Sequence, residues 1–233
     1  MKKKIVLISL VIALVAILTV GGSLAYFMDT DEVTNVFTVG SVDIEQNEEF
    51  VQESQLLPVV GTDPANAKDN YIQKKVTVEN KGKNGAYVQT LVAVPAILDN
   101  AGVLKLWDTN AVANGWTKLD GDANTDGVQP LHIATIDNML YNVYVYRYNT
   151  VLTAGSETAA CLEYVYISPE TDLNVHEYAN GVKTAYFVMN GTEITDFDAT
   201  GKLNVYVATQ GVQDRGFADA NEALDTAFTT IPW

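Results

Sequence analysis

Two histidines, one cysteine and two acidic runs are the side chains of this chain that invite chemistry. His132 and His176 are its only histidines, and zinc-assisted hydrolysis is the reaction to ask of them. A zinc protease commonly sets two histidines one helical turn apart around a glutamate, as HExxH, so that both imidazoles face one ion. Here His176 is followed by Glu177, but Asn180 stands where the second histidine belongs, and His132 lies 44 residues upstream in sequence that is not helical. Both histidines read as ordinary surface or edge positions. No serine is spaced with a histidine and an acid as a triad would require, so no catalytic residue is assigned.

Calcium is the better question for the acids. Asp120, Asp122, Asn124 and Asp126 alternate oxygen ligands as the start of an EF-hand loop does, yet the sixth position is not glycine and Leu131 replaces the closing glutamate. A second run, Asp196, Asp198, Thr200 and Gly201, has the glycine but reaches Val207 at the twelfth position. Each reads as an acidic turn, and no metal or cofactor is expected. Cys161 sits in the apolar stretch 159–167; a lone cysteine has no internal partner and reads as a small core residue, the alternative being a thiol that links two subunits. Asn190, Gly191 and Thr192 form a glycosylation sequon, which means little if the source is bacterial.

The elements that would position these residues are strands. Runs rich in Val, Thr, Tyr and Ile alternate with Asn, Gly, Asp and Pro, which predicts an all-β domain. Strands are expected over 37–45, 72–80, 86–97, 116–119, 141–148, 157–167, 182–189 and 203–209. In 141–148, Val143 and Val145 fall on one face and Tyr144, Tyr146 and Tyr148 on the other, which reads as valines inward and tyrosines outward. NKGKNG at 80–85 is the strongest hairpin signal, and Asn180–Gly181 and Asn190–Gly191 bracket a second hairpin region. Residues 99–127 lack periodicity and read as a long decorated loop. Val76, Val78, Leu91, Val92 and Val94 are the expected core. One helix is predicted near the C-terminus: Asp219 caps it, Glu222 completes a capping box, and Ala220, Ala223, Leu224, Ala227 and Phe228 form an apolar stripe. The fold expected is a jelly-roll-like β-sandwich with a long decorated loop and a short C-terminal helix.

The beginning of the chain carries an address. Lys2, Lys3 and Lys4 precede an unbroken apolar stretch at 5–20, followed by Gly21, Gly22, Ser23, Leu24 and Ala25. This reads as a secretory signal peptide cut between Ala25 and Tyr26, with Ser23 and Ala25 as the small residues a signal peptidase requires. An uncleaved membrane anchor is the competing reading, disfavoured by the short run and its terminal glycines. Removing 25 of 233 residues leaves 208, and losing three lysines takes the net charge from −15 to −18. That charge argues against nucleic acid and anionic membranes as partners, and self-association should depend on salt. No LPxTG-type wall-sorting signal with a second apolar segment is seen before the final TTIPW.

The segment LAYFMDTDEVTNVFTVGSVDIE at 24–45 resembles the leader and mature start of the TasA and camelysin family, which share LAYFTDTD, an N.FTVG element and a V.IE strand. Further agreement is seen at 76–95, 150–167 and 205–228, so the resemblance reaches both ends and the middle of the mature chain. It implies processing by a signal peptidase of the endoplasmic-reticulum type and a place outside a Gram-positive cell. The best understood members form biofilm matrix fibres, and others are described as metalloproteases. The resemblance also favours the jelly-roll form over an immunoglobulin-like one.

Together these readings point to a homopolymer. The mature start, 26–37, presents Tyr26, Phe27 and Met28, then acids, then Val33, Val36 and Phe37. Such a segment can be donated to the sheet of a neighbouring copy, giving head-to-tail growth once the leader no longer tethers it to the membrane. The domains expected are a leader at 1–25, a donor segment at 26–37 and a β-sandwich at 38–233. Alternatives are a donor strand that folds onto its own sheet, a secreted metalloprotease of camelysin type, and a non-polymerising adhesin or accessory subunit.

Overall fold

A computed structural model describes residues 28–31, 42–50, 57–60, 70–122, 127–177, 183–194, 197 and 203–233. Thirteen strands and two helices are described, and every strand pair is antiparallel. One sheet runs β1 (Met28–Asp31), β13 (Tyr206–Gln213), β4 (Ala86–Pro95), β8 (Met139–Tyr148), with β6 (Trp116–Lys118) and β7 (His132–Ile136) both beside β8. The facing sheet runs β2 (Ile44–Phe50), β3 (Ile72–Asn80), β9 (Leu162–Ile167), β5 (Leu104–Trp107). A third sheet joins β10 (Thr171–Glu177), β11 (Lys183–Met189) and β12 (Thr192–Ile194). Helix α1 (Ala96–Asn100) follows β4, and α2 (Ala220–Ala227) follows β13. This is an all-β sandwich with a short C-terminal helix, as the strand pattern predicts.

Alternation explains the layers. Val76 and Val78 of β3, Val88, Val92 and Val94 of β4, and Leu162, Val165 and Ile167 of β9 fill the space between the two sheets with Trp116, Tyr144 and Tyr146. The five expected core residues are all buried, Leu91 on the opposite face of β4 from Val92 and Val94. That opposite face is covered too: Leu91, Ala93, Val143 and Val145 pack under Tyr206, Ile231 and Trp233. The inward-valine, outward-tyrosine reading of β8 is therefore corrected, since the tyrosines enter the main core and the valines a second one. Period-two alternation separates two faces but does not say which is wetter.

Two turn readings diverge as well. NKGKNG joins strands of different sheets, so it is an arch rather than a hairpin. Asn80, fully buried, explains why: its Nδ2 donates to the carbonyls of Asn84 and Leu152, 2.8 Å each, and its Oδ1 accepts from Gly82 N at 2.9 Å. Those bonds satisfy polar groups where the chain crosses the core, which a hairpin would not need. The Asn190–Gly191 signal is a true two-residue hairpin between β11 and β12, with φ of 50° and 77°. Asp137 and Asn138, at φ 50° and 64°, make the corresponding turn between β7 and β8. Within residues 99–127, β6 falls on the strand expected over 116–119, while β5, not expected, adds an edge to the facing sheet.

The C-terminal helix forms as expected. Asp219 Oδ1 accepts from Glu222 N at 2.9 Å, while Glu222 Oε2 reaches back to Ala218 N at 2.6 Å. Ala223 and Leu224 then bury against Val212 of β13. Cys161 is fully buried, and burial pushes its thiol up to about 12. It is expected to resist thiol-directed alkylation in the native state and to react within the mixing time once denatured; stoichiometric native labelling would contradict this placement.

Candidate functional site

Strand β13 is the structural centre of the N-terminal edge. Its sequence YVATQGVQ is buried from Val207 to Gln213, because both of its faces are covered. On the inner face, Thr209 Oγ1 donates to Gln46 Oε1 at 2.8 Å and shares a hydrogen bond with Thr90 Oγ1 at 3.2 Å. Gly211 lets β2 close in: a Cβ there would lie 2.8 Å from Ile44 Cδ1. Substituting Gly211 by Val is expected to push β2 away and lower Tm by several degrees, read by thermal melting of the mature chain.

The outer face carries a polar row across three strands. Arg147 of β8 donates from Nε to Gln89 Oε1 of β4 at 3.1 Å, and Gln89 Nε2 donates to Gln210 Oε1 of β13 at 2.7 Å. All three side chains are buried, Arg147 being 8% exposed. Two further bonds from the guanidinium reach α2, to Asn221 at 2.8 Å and to the Asp225 carboxylate. A guanidinium so surrounded fixes the helix on the sheet, its planar fork matching several acceptors at once. Beneath the C-terminal segment lies a cavity of about 200 Å³, floored by Gln89, Arg147 and Gln210 and walled by Phe228, Thr229 and Ile231.

Against this buried strand, β1 adds four residues by backbone pairing: Met28 opposite Val212, Asp29 opposite Gly211, Thr30 opposite Gln210 and Asp31 opposite Thr209. The polar row thus ends at the register position of Thr30. Of the expected donor residues, Met28 lies in β1, and within this single chain that strand sits on its own sheet, as the fold-back alternative has it. Tyr26, Phe27, Val33, Val36 and Phe37, and the cleavage residue Ala25, lie outside the described residues.

The two histidines are not drawn together. His132 is exposed on β7 and His176 on β10, in different sheets. Asp120 Oδ1 accepts from the amides of Asp122, at 3.1 Å, and Gln129, at 3.0 Å, which is how an acidic turn holds itself. Asn124 and Asp126 lie outside the described residues, as do Asp196, Asp198, Thr200 and Gly201. Among the described residues no three His, Cys, Asp or Glu side chains are grouped for a metal.

A second polar cluster lies inside the sandwich. Tyr146 OH donates to Asp108 Oδ2 at 2.6 Å, and Lys118 Nζ donates to the same oxygen at 2.9 Å. Tyr144 OH donates to Asp99 Oδ2 at 2.8 Å, joined there by Asn142 Nδ2 at 2.7 Å. The Lys118 ammonium sits 4.2 Å from the Tyr144 ring centre. Burial first, and the neighbouring carboxylates second, hold Tyr144 and Tyr146 above the ordinary tyrosine range; burial with Tyr206 nearby raises Tyr141 to about 12. Each phenol is easier to ionise unfolded, near pH 10, than folded, so their stabilisation is complete below about pH 10 and is lost as pH rises through the folded values. Thermal melts between pH 8 and 12 are expected to be level at first and to drop steeply above about pH 10. A flat profile would contradict the burial of these phenols.

Sequence reasoning missed β13 as the receiving strand, the Arg147–Gln89–Gln210 row and the Asp108 cluster. The one available signal was the placing of Gln and Arg inside otherwise apolar strands, where a polar side chain requires a partner.

Two antiparallel sheets closed over an apolar core, with a short N-terminal strand on one edge, define the chain as an all-β sandwich protein. Residues 1–87 match the family model of the camelysin metallo-endopeptidases, so over this stretch the chain is similar to that family. The match runs through β1, β2 and β3 to the start of β4. No curated protein matches the chain. No helix among the described residues is long and apolar enough to cross a membrane.

Proposed function

We propose that this chain is a secreted structural protein whose mature form builds extracellular matrix fibres by donating its N-terminal segment, headed by Tyr26, to β13 of the next molecule. The observation that carries this reading is the lopsided build of the β1 edge. Val207–Gln213 is buried and committed to the core, whereas β1 is four residues long and joined to β13 by backbone pairing. An identical strand from a neighbour makes the same hydrogen bonds in the same register, so exchange costs little in contacts and its geometry does not close. Residues 32–41 separate β1 from Val42; ten extended residues span about 35 Å, enough to reach a second copy.

Leader cleavage acts as the switch in this scheme, freeing the segment from the membrane. Like-charged subunits of net −18 after loss of three lysines from −15 must be screened before they touch. Fibre growth by light scattering is therefore expected to accelerate several-fold between low and moderate salt. Electron microscopy of the mature chain tests the reading directly, and single particles at every ionic strength would overturn it.

A metallo-endopeptidase is the second reading, favoured by the name of the matching family. Casein digestion by the purified mature chain, with zinc added and with chelator, separates the two. Digestion that zinc supports and chelator abolishes would favour the enzyme.

A further inference from the structure

The cavity under the C-terminal segment has a polar floor whose hydrogen bonds can run in one direction only. A guanidinium donates and never accepts, so Gln89 Oε1 takes the Arg147 Nε bond at 3.1 Å and Gln89 Nε2 must donate onward, to Gln210 Oε1 at 2.7 Å. The relay ends on the two N–H groups of Gln210 Nε2, for which the described residues supply no acceptor. Gln210 is 2% exposed and lines the cavity, so those donors are left to whatever the cavity holds. Arg147 commits three of its five N–H groups, to Gln89, Asn221 and Asp225. Buried donors without acceptors are costly, and this floor consists of donors.

The rest of the lining is of another kind. Leu91 and Val145 rise from the same sheet face, and Phe228 and Ile231 close over them from the C-terminal segment. Exposed His132, Thr229 and Thr230 complete the wall, so the space reaches solvent. At about 200 Å³ it is larger than a single water needs and smaller than a drug-sized site. Water alone would satisfy the floor and gain nothing at the apolar wall. A small molecule with an acceptor head and a short apolar body satisfies both. Charge makes that head an anion: Asp225, the charge partner of Arg147, has a side chain 66% exposed and screened by water, whereas the Arg147 side chain is 9% exposed. Among anions, a carboxylate matches the planar guanidinium and amide donors.

We propose that this cavity is a binding site for a small carboxylate bearing an aromatic or branched apolar group, its head on the Gln210 and Arg147 donors and its body against Leu91, Val145 and Phe228. Occupancy ties the C-terminal segment to β4, β8 and β13 at once, because the floor residues come one from each of those strands. The site is independent of the fibre reading and of leader cleavage, since every residue in it belongs to the sandwich and its C-terminal segment.

The test titrates the mature chain, its methyl groups isotope-labelled for NMR, with three probes: benzoate, its uncharged counterpart benzamide, and inorganic phosphate, an anion with no apolar body. Benzoate is expected to give saturable shifts at the methyls of Leu91, Val145 and Ile231, with benzamide about tenfold weaker and phosphate moving none of them. Gln210→Glu keeps the acceptor that Gln89 needs and puts a carboxylate oxygen where the free donor stood; benzoate affinity is expected to fall by about tenfold or more. Leu131→Trp fills the space from its partly buried edge, away from the polar row, and is expected to abolish the shifts. Thermal melting confirms that each variant is folded, and the comparison of probes on the parent chain needs no variant. Absence of saturation at millimolar benzoate leaves water as the occupant and overturns the site. Equal affinity for benzamide overturns the carboxylate, and equal shifts with phosphate show an adventitious ion only and overturn the proposal too. A Gln210→Glu chain that binds as tightly as the parent overturns the placing of the head.

Discussion

Deleting residues 26–33 from the mature chain is expected to abolish fibres entirely, leaving single particles by scattering and microscopy at every salt concentration. The truncated chain lacks the strand that pairs with Thr209–Val212, so the buried β13 is left with an open backbone edge. Its Tm should fall, and a peptide of sequence 26–37 should restore it by taking the β1 position. The same peptide, added in excess to the intact mature chain, is expected to stop growth by capping acceptor edges, a loss that scales with peptide concentration. Filaments that persist unchanged after the deletion would remove strand donation from the account. Deletion and peptide together also separate assembly from folding, since the peptide repairs the second without supporting the first.

Replacing Trp116 by Ala is expected to give the largest loss of stability of any single substitution in the sandwich, about 3–5 kcal/mol. Trp116 is fully buried between the sheets, its ring 5.2 Å from that of Tyr148, and its Nε1 donates to Ala159 O at 2.8 Å. Alanine opens a cavity and strands that carbonyl without its donor. Denaturant unfolding measures the loss, and for a chain of this size Tm should fall by roughly 10 °C. Trp116→Phe keeps most of the packing and forfeits the hydrogen bond, and about 1–3 kcal/mol is expected for it. A Trp116→Ala chain as stable as the parent would contradict the placing of β6 in the core. Trp116 opens the strand expected over 116–119, within a stretch, 99–127, otherwise read as a decorated loop.

Much of the architecture was legible along the chain. Val76, Val78, Val92 and Val94 announce buried strands through local alternation, and Asp219 with Glu222 announces a helix start, because such signals depend on residues two to four apart. Asn190–Gly191 announces a hairpin for the same reason, its two residues tolerating positive φ. Signals of equal local strength failed where long-range contacts decide. NKGKNG became an arch because Asn80 finds the Leu152 carbonyl, seventy-two positions away, and Tyr144 and Tyr146 turned inward because Asp99 and Asp108 were there to receive their hydroxyls.

By itself, then, the sequence determined a β-rich chain whose start resembles the TasA and camelysin family, an acidic surface, a lone buried thiol and an N-terminal segment fit to be a strand. Those properties are sums or short-range periodicities, and one dimension suffices to read them. Which strand pairs with β1, and that the Arg147–Gln89–Gln210 row ends beside it, were decided by tertiary structure alone. Residues about sixty to more than a hundred positions apart meet only when the sheets close, and the cost of an unpaired buried polar group fixes how they meet.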